Sequence, residues 1–423
     1  MGVASAQTIY LDITKPSFQR IPIAVPDFKY MSPEQAQLAR EMSDVLSNDL
    51  NLSGVFRPLD RKGFLEDPQT MGIEASEIRF PDWVRLGADF LARCSYQVQG
   101  NSVRLDGRLF DVSGRKLVGT PKSYSGDLRV WRQMVHAFAD DIMLMLTGER
   151  GVFDTKIAYV QKVGEAKEIF YCDFDGNNVV QVTRDNNIAL SPSWSPDQSQ
   201  IAYVSYRDGK PKVYGVNVLN NSHYLISGFP GLNITPAWRP GRNELAVTLT
   251  KDGGQDIYLV SPGGQVIQKC GVGSGGSISV SPDWSPDGKK FAYVSNESGN
   301  PQIYVFDVTT GQKKRLTFSG KYNTSPSWSP KGDWIAYAAG EGGEYNICII
   351  RTDGSENHAL TNGGGRNEAP CWSPDGRMIA YSSTKTGGTA IRVMYTNGTG
   401  DWQLTRQGGA QELPDWSPRK NRQ

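Results

Sequence analysis

The chain has 423 residues, enough for two or three domains at roughly 150 residues each. Lys and Arg number 45 against 44 Asp and Glu, a net charge of +1 that lacks the basic excess of a nucleic-acid binder. Three His leave little for imidazole metal sites, and 46 Gly with 24 Pro point to many short strands joined by turns.

In chain order, Ala4-Ser5-Ala6 has the small-residue pattern that closes a secretory signal. The expectation is an exported protein whose cleaved signal peptide is largely absent from this chain. No apolar run is long enough to span a membrane as a helix. Residues 7–14 are short and β-prone, fit to pair with their own domain or to add to a partner's sheet.

Residues 7–148 read as a mixed α/β domain. Ile21-Pro22-Ile23-Ala24-Val25 predicts a strand, and Ser32-Pro33 with Gln35 predicts an N-cap, a proline in the first turn and a capping-box partner. Leu38, Met42, Val45, Leu46 and Leu50 give the following helix one apolar stripe. A second strand is expected at 55–59, then an antiparallel meander near 88–98, 102–112 and 115–124. Asp127 can cap a last helix bearing Trp131, Val135, Phe138, Ile142 and Met145, which Gly148 ends.

Residues 152–418 carry a repeat. Pro-x-Trp-[Ser/Arg]-Pro recurs at Trp194, Trp238, Trp284, Trp328, Trp372 and Trp416, spaced by 44, 46, 44, 44 and 44 residues. An apolar strand follows each of the first five, at Ile201, Leu245, Phe291, Ile335 and Ile379, and another begins at Ile157 with no such Trp segment before it. Second and third strands keep step, so each period holds four strands, the signature of a propeller blade. Two prolines so close fence a short strand at its ends. The segment at Trp416 has no strand after it and can complete the first blade. The predicted fold class is an α/β N-terminal domain plus an all-β six-bladed β-propeller closed by the Trp416 strand, which removes two exposed sheet edges.

The join Leu146-Thr147-Gly148-Glu149-Arg150-Gly151-Val152-Phe153-Asp154, the domain before it and the six Trp-Ser-Pro-type blades together resemble the TolB family, periplasmic propeller proteins of the Tol–Pal system of Gram-negative bacteria. The resemblance covers nearly the whole chain. It implies a periplasmic, non-enzymatic scaffold that supports outer-membrane integrity and invagination at cell division. It also implies that the propeller mouth binds the peptidoglycan-associated lipoprotein, Pal. The N-terminal segment, Gln7, Thr8, Ile9, Tyr10, Leu11, Asp12 and Ile13, would contact TolA. A monomer without cofactor is expected. The family's lipoprotein contacts lie in the loops before each inner strand. Leu232 and Thr235 stand where the family carries His and Ala, and Val280 and Ser281 where it carries Thr and Glu. The polarity of this chain's own loops adds Asn187, Asn233, Tyr322, Asn323, Arg366, Asn367 and Glu368 as candidate mouth contacts.

Catalytic and metal chemistry finds little support. There is no Gly-x-Ser-x-Gly, and no paired His or Asp-rich loop with ligand spacing, so neither a catalytic residue nor a metal is expected. His136 reads as a packing or surface residue, and His223 and His358 lie at the blade rim without a visible partner. The Gly-rich run at 271–276 lacks phosphate-loop spacing and reads as a loop at the mouth. Five Cys with no Cys-x-x-Cys read as buried apolar residues. The competing expectation is a periplasmic propeller hydrolase or lyase acting on a glycan in the central channel.

Overall fold

The computed structural model describes residues 19–273 and 276–420. It divides into two units, Met1–Asp154 and Thr155–Gln423. Among the described residues, no helix is long and apolar enough to cross a membrane.

The first unit is one five-stranded sheet with helices. Its strands are β1 (Ile21–Ala24), β2 (Phe56–Pro58), β3 (Phe90–Gln99), β4 (Ser102–Asp111) and β5 (Lys116–Asp127), in the order β2-β1-β3-β4-β5. β1 runs parallel to both neighbours, which requires crossovers. Helix α1 (Ala36–Leu52) supplies the first, and a short helix, α2 (Phe80–Arg85), precedes β3. The sequence showed no period for α2 because it spans fewer than two turns. Helix α3 (Trp131–Thr147) packs on α1. Met42, Leu46 and Leu50 of α1 and Val135, Phe138 and Ile142 of α3 are all buried, as their spacing of three to four residues demands. A Cβ at Gly107 would come within 2.7 Å of Phe138, so this bare position in β4 lets α3 settle on the sheet.

Neither long helix is capped at its start as expected. Asp127 accepts from Arg129 N at 2.9 Å, but it caps a 3-10 turn at Leu128–Val130 that precedes α3, whose own N-cap, Val130, makes no side-chain cap bond. Gly148 closes α3 as expected, at φ 76° with its N–H on Leu144 O. Ser32 makes no cap bond. A 3-10 turn at Pro33–Gln35 precedes α1, and Gln35 Oε1 accepts from Met31 N instead, one residue earlier than a capping box would reach.

The second unit is six four-stranded antiparallel sheets. Blades are numbered here by their innermost strands: Ala189–Trp194, Asn233–Trp238, Ser279–Trp284, Tyr322–Trp328, Asn367–Trp372 and Gln411–Trp416. Neighbouring innermost strands touch in cyclic order, the last meeting the first. The sixth blade joins Gln411–Trp416 to Lys156–Val163, with Gln411 opposite Gln161 and Trp416 opposite Ile157.

The Trp residues fill the seams between blades. Trp194, Trp238, Trp284, Trp328 and Trp372 share core clusters with Ala158, Ala202, Ala246, Ala292 and Ala336 of the preceding blades. The alanine always directly follows the residue that pairs with its own blade's Trp, and it is small enough to leave room for the next indole. Trp284 Nε1 donates to Ala237 O at 3.1 Å and Trp372 Nε1 to Ser327 O at 3.0 Å, both across a seam. The indoles therefore hold blade to blade, with only their edges left to line the cavity at that end of the ring.

Candidate binding site at the propeller mouth

Each blade enters its innermost strand from the same end of the ring, and the six entry loops surround the channel mouth. Positions counted back from each Trp make the site legible. Three residues before each Trp stand Ser191, Thr235, Ser281, Ser325, Ala369 and Leu413, all with φ between 51° and 54°. This left-handed backbone is rare for residues with a Cβ, and rarest for β-branched ones such as Thr235. It coincides with a bulge in every inner pair: the register slips between Ala202 and Val204 in the first blade and between Glu412 and Asp415 in the last. A bulge re-aims the chain, and here it does so six times around one opening. The sequence signalled only the proline that follows each one.

Five residues before each Trp the side chain turns inward. Asn233, Asn323 and Asn367 are all at most 2% exposed. Asn233 accepts from Phe229 N at 2.9 Å and donates to Phe229 O at 2.8 Å. Asn323 donates to Ser319 O and to Gln302 Oε1, and Asn367 accepts from Ser383 Oγ at 2.7 Å. Their loop positions in the sequence predict contact with a partner. Their amides instead tie the entry loops down, because a buried amide must spend its donors and acceptors on the backbone around it. They shape the mouth from inside the blades.

The other expected contacts are reachable. Asn187 is half-buried, donating to Tyr206 O at 3.0 Å. Tyr322 is exposed and meets Tyr345 edge-on. Arg366 lies over the Tyr345 ring and reaches Glu368 at 3.1 Å. Leu232, Thr235, Val280 and Ser281 are half-buried on the second and third blades. Thr235 Oγ1 lies 2.9 Å from Thr248 Oγ1 and accepts from Ser281 N at 3.2 Å, linking those two blades. Residues 7–13 lie outside the described residues.

At the other end of the inner strands lies a cavity of about 330 Å³, lined in part by the six repeat Trp residues. Its walls include Ser193, Ala237, Asp283, Ser327, Cys371 and Asp415, one residue before each Trp. Three of these close seams by accepting the next blade's Trp N–H: Ser193 from Trp238 at 3.4 Å, Asp283 from Trp328 at 2.5 Å and Asp415 from Trp194 at 2.7 Å. Loss of water around them pushes both carboxyls up to about 7. They stand on the third and sixth blades, opposite one another in the ring. Sequence polarity did not single them out, since each is hidden inside the repeat.

The histidines have partners that the sequence did not show. His223 Nδ1 lies 2.9 Å from the Tyr203 hydroxyl, and burial together with Arg207 lowers its pKa. His358 stands edge-on to Trp334. His136 is buried in α3 with Nδ1 2.6 Å from Asp49 Oδ2 of α1. All five cysteines are buried and free, and burial raises the thiol pKa of each.

The fold and the mouth define a class: a six-bladed propeller preceded in sequence by a smaller α/β domain, with the bulged starts of six inner strands around one opening. Residues 144–420 match the family described as the TolB beta propeller domain, and residues 9–118 match the TolB amino-terminal domain. The chain belongs to the TolB family. The Tol-Pal system protein TolB of Bordetella pertussis is 39% identical over 304 residues, covering 71% of this chain and 66% of that protein. That of Desulfosudis oleivorans is 40% identical over 218 residues, covering 51% of this chain and 50% of its own. The chain thus spans half to two thirds of the length of these curated relatives. The crystal structure of TolB from Acinetobacter baumannii superimposes with a TM-score of 0.81 at 26% identity, over 95% of this chain and 98% of that one.

Proposed function

We propose that this chain is a periplasmic, non-catalytic scaffold of the Tol–Pal system. It binds Pal at the propeller mouth and TolA through residues 7–13, and so supports outer-membrane integrity and invagination at cell division. The observation that carries this reading is the likeness to a TolB crystal structure over 95% of the chain, joined to a mouth whose loops at Asn233, Asn323 and Asn367 are tied down by buried amides. A mouth so anchored suits a protein partner, because little loop entropy is lost when a lobe enters it.

The test is calorimetric titration of the chain with the soluble domain of its own organism's Pal. One-to-one binding that weakens on Arg366→Ala or Glu368→Ala is expected. Absence of binding overturns the lipoprotein assignment. Deleting residues 7–13 is expected to abolish TolA binding in the same assay. Unchanged TolA affinity overturns the assignment of that segment.

A further inference from the structure

The repeat that builds the blades also sets one side chain from each at the same height on the mouth, six residues before the Trp: Ile188, Leu232, Ile278, Tyr322, Arg366 and Ala410. Ile188, Ile278 and Tyr322 are 39%, 44% and 45% exposed. Single exposed apolar residues on a surface mean nothing. Here, large apolar side chains recur at one repeat position around one opening, where polar loop residues would serve solubility better.

The next outward-facing position, four before the Trp, divides the ring. On the first three blades it is Leu190, Ile234 and Val280, all half-buried against the blade cores. On the last two it is Glu368 and Glu412, ion-paired to Arg366 and Lys167. A backbone of near sixfold repetition therefore carries a two-sided chemistry. Blades one to three are aliphatic at both levels. Blades five and six present paired charges.

We propose that the mouth selects a two-sided protein lobe and holds it in one rotation. The lobe's aliphatic or aromatic side rests on Ile188, Leu232 and Ile278. Its polar, charge-bearing side meets Arg366–Glu368 and Glu412. An apolar face turned toward blades five and six would strip water from two ion pairs without replacing it, and that cost excludes the other rotations. This inference rests on the proposed docking of Pal at the mouth and adds the chemistry and orientation of the lobe that enters.

The test uses the full chain and the soluble domain of its organism's Pal in calorimetry. Ile188→Asp and Ile278→Asp change exposed loop residues, so an unaltered melting temperature is expected for both. Each is expected to weaken binding at least about tenfold, as loss of a central apolar anchor does. Leu219→Asp, on a hairpin turn at the other end of the first blade and 87% exposed, is the control and is expected to bind as the parent does. The double swap Arg366→Glu with Glu368→Arg keeps the charges but reverses them, and is expected to weaken binding several-fold at low salt. Parent binding with both Ile variants unchanged overturns the aliphatic side and leaves the docking itself standing. An unaffected double swap overturns the fixed rotation. No binding by the parent chain overturns both this inference and the docking on which it rests.

Discussion

The carboxyl of Asp415 accepts the backbone N–H of Trp194 at 2.7 Å across 221 residues of sequence, joining the sixth blade to the first. Asp283 does the same for Trp328. Both carboxyls have pKa values raised to about 7 in the folded chain, against about 4 when unfolded. Between those values the folded state holds a proton that the unfolded state has lost, so stability falls as pH rises toward 7. His223 works the other way, because its lowered pKa leaves the unfolded state the better proton binder near pH 6. The difference between parent and Asp415→Asn isolates the carboxyl. The parent is expected to gain melting temperature, relative to Asp415→Asn, as pH falls from 7.5 to 5.5. Parallel curves would count against the raised value.

Removing the acceptor altogether is a separate matter. Asp415→Ala leaves the Trp194 N–H without its partner, and the expected loss is about 1–3 kcal/mol in urea unfolding at pH 6. Asp415→Asn, which keeps an oxygen in place, is expected to lose less.

The seams depend on matched sizes. Trp284 is buried beside Ala246, Phe291 and the Arg239 guanidinium. Trp284→Ala is expected to cost about 3–5 kcal/mol. Ala246→Leu, which crowds the same indole, is expected to cost about 1–3 kcal/mol. Equal stability of Ala246→Leu and the parent would mean that the alanine is not setting the gap.

The bulge positions are sensitive to branching. Ala369 sits at φ 51°, where a second branch at Cβ clashes with the backbone. Ala369→Val is expected to destabilise by about 1–2 kcal/mol, measured by thermal unfolding, whereas Ala369→Gly is expected to stay near the parent.

In the first unit, Asp49 and His136 are both at most 1% exposed and 2.6 Å apart. Removing one member of such a pair leaves the other buried without it. Asp49→Ala is expected to destabilise that unit by about 3–5 kcal/mol. A loss below 1 kcal/mol would show that the contact carries little.

The repeat was readable because its markers are few and regular: prolines two residues either side of each Trp, and an apolar strand after the first five. Period reveals which strand a residue belongs to. It does not reveal which way a polar side chain turns. Asn233, Asn323 and Asn367 look like loop residues in sequence, yet the bulge two residues later, with the buried strand beside them, draws their amides inward. Asp283 and Asp415 were illegible for the same reason, since a carboxyl inside a strand pattern reads as solvated until its seam partner is known. Ile188 and Ile278 carry no polar signal in a loop, and only their shared place six before the Trp marks them. Ser32 failed as a cap because a tight turn displaced the start of its helix.

The closing of the sixth blade also sets an order of events during folding. Gln411 must find Gln161, so the ring cannot be completed until almost all of the chain has reached the compartment where it folds. The other five blades assemble from consecutive residues and can form as they emerge. Until then the strand Lys156–Val163 waits with one edge bare, a surface that chaperones and proteases recognise. A product that stops short of the final strand would therefore be marked for removal by its own unfinished sheet.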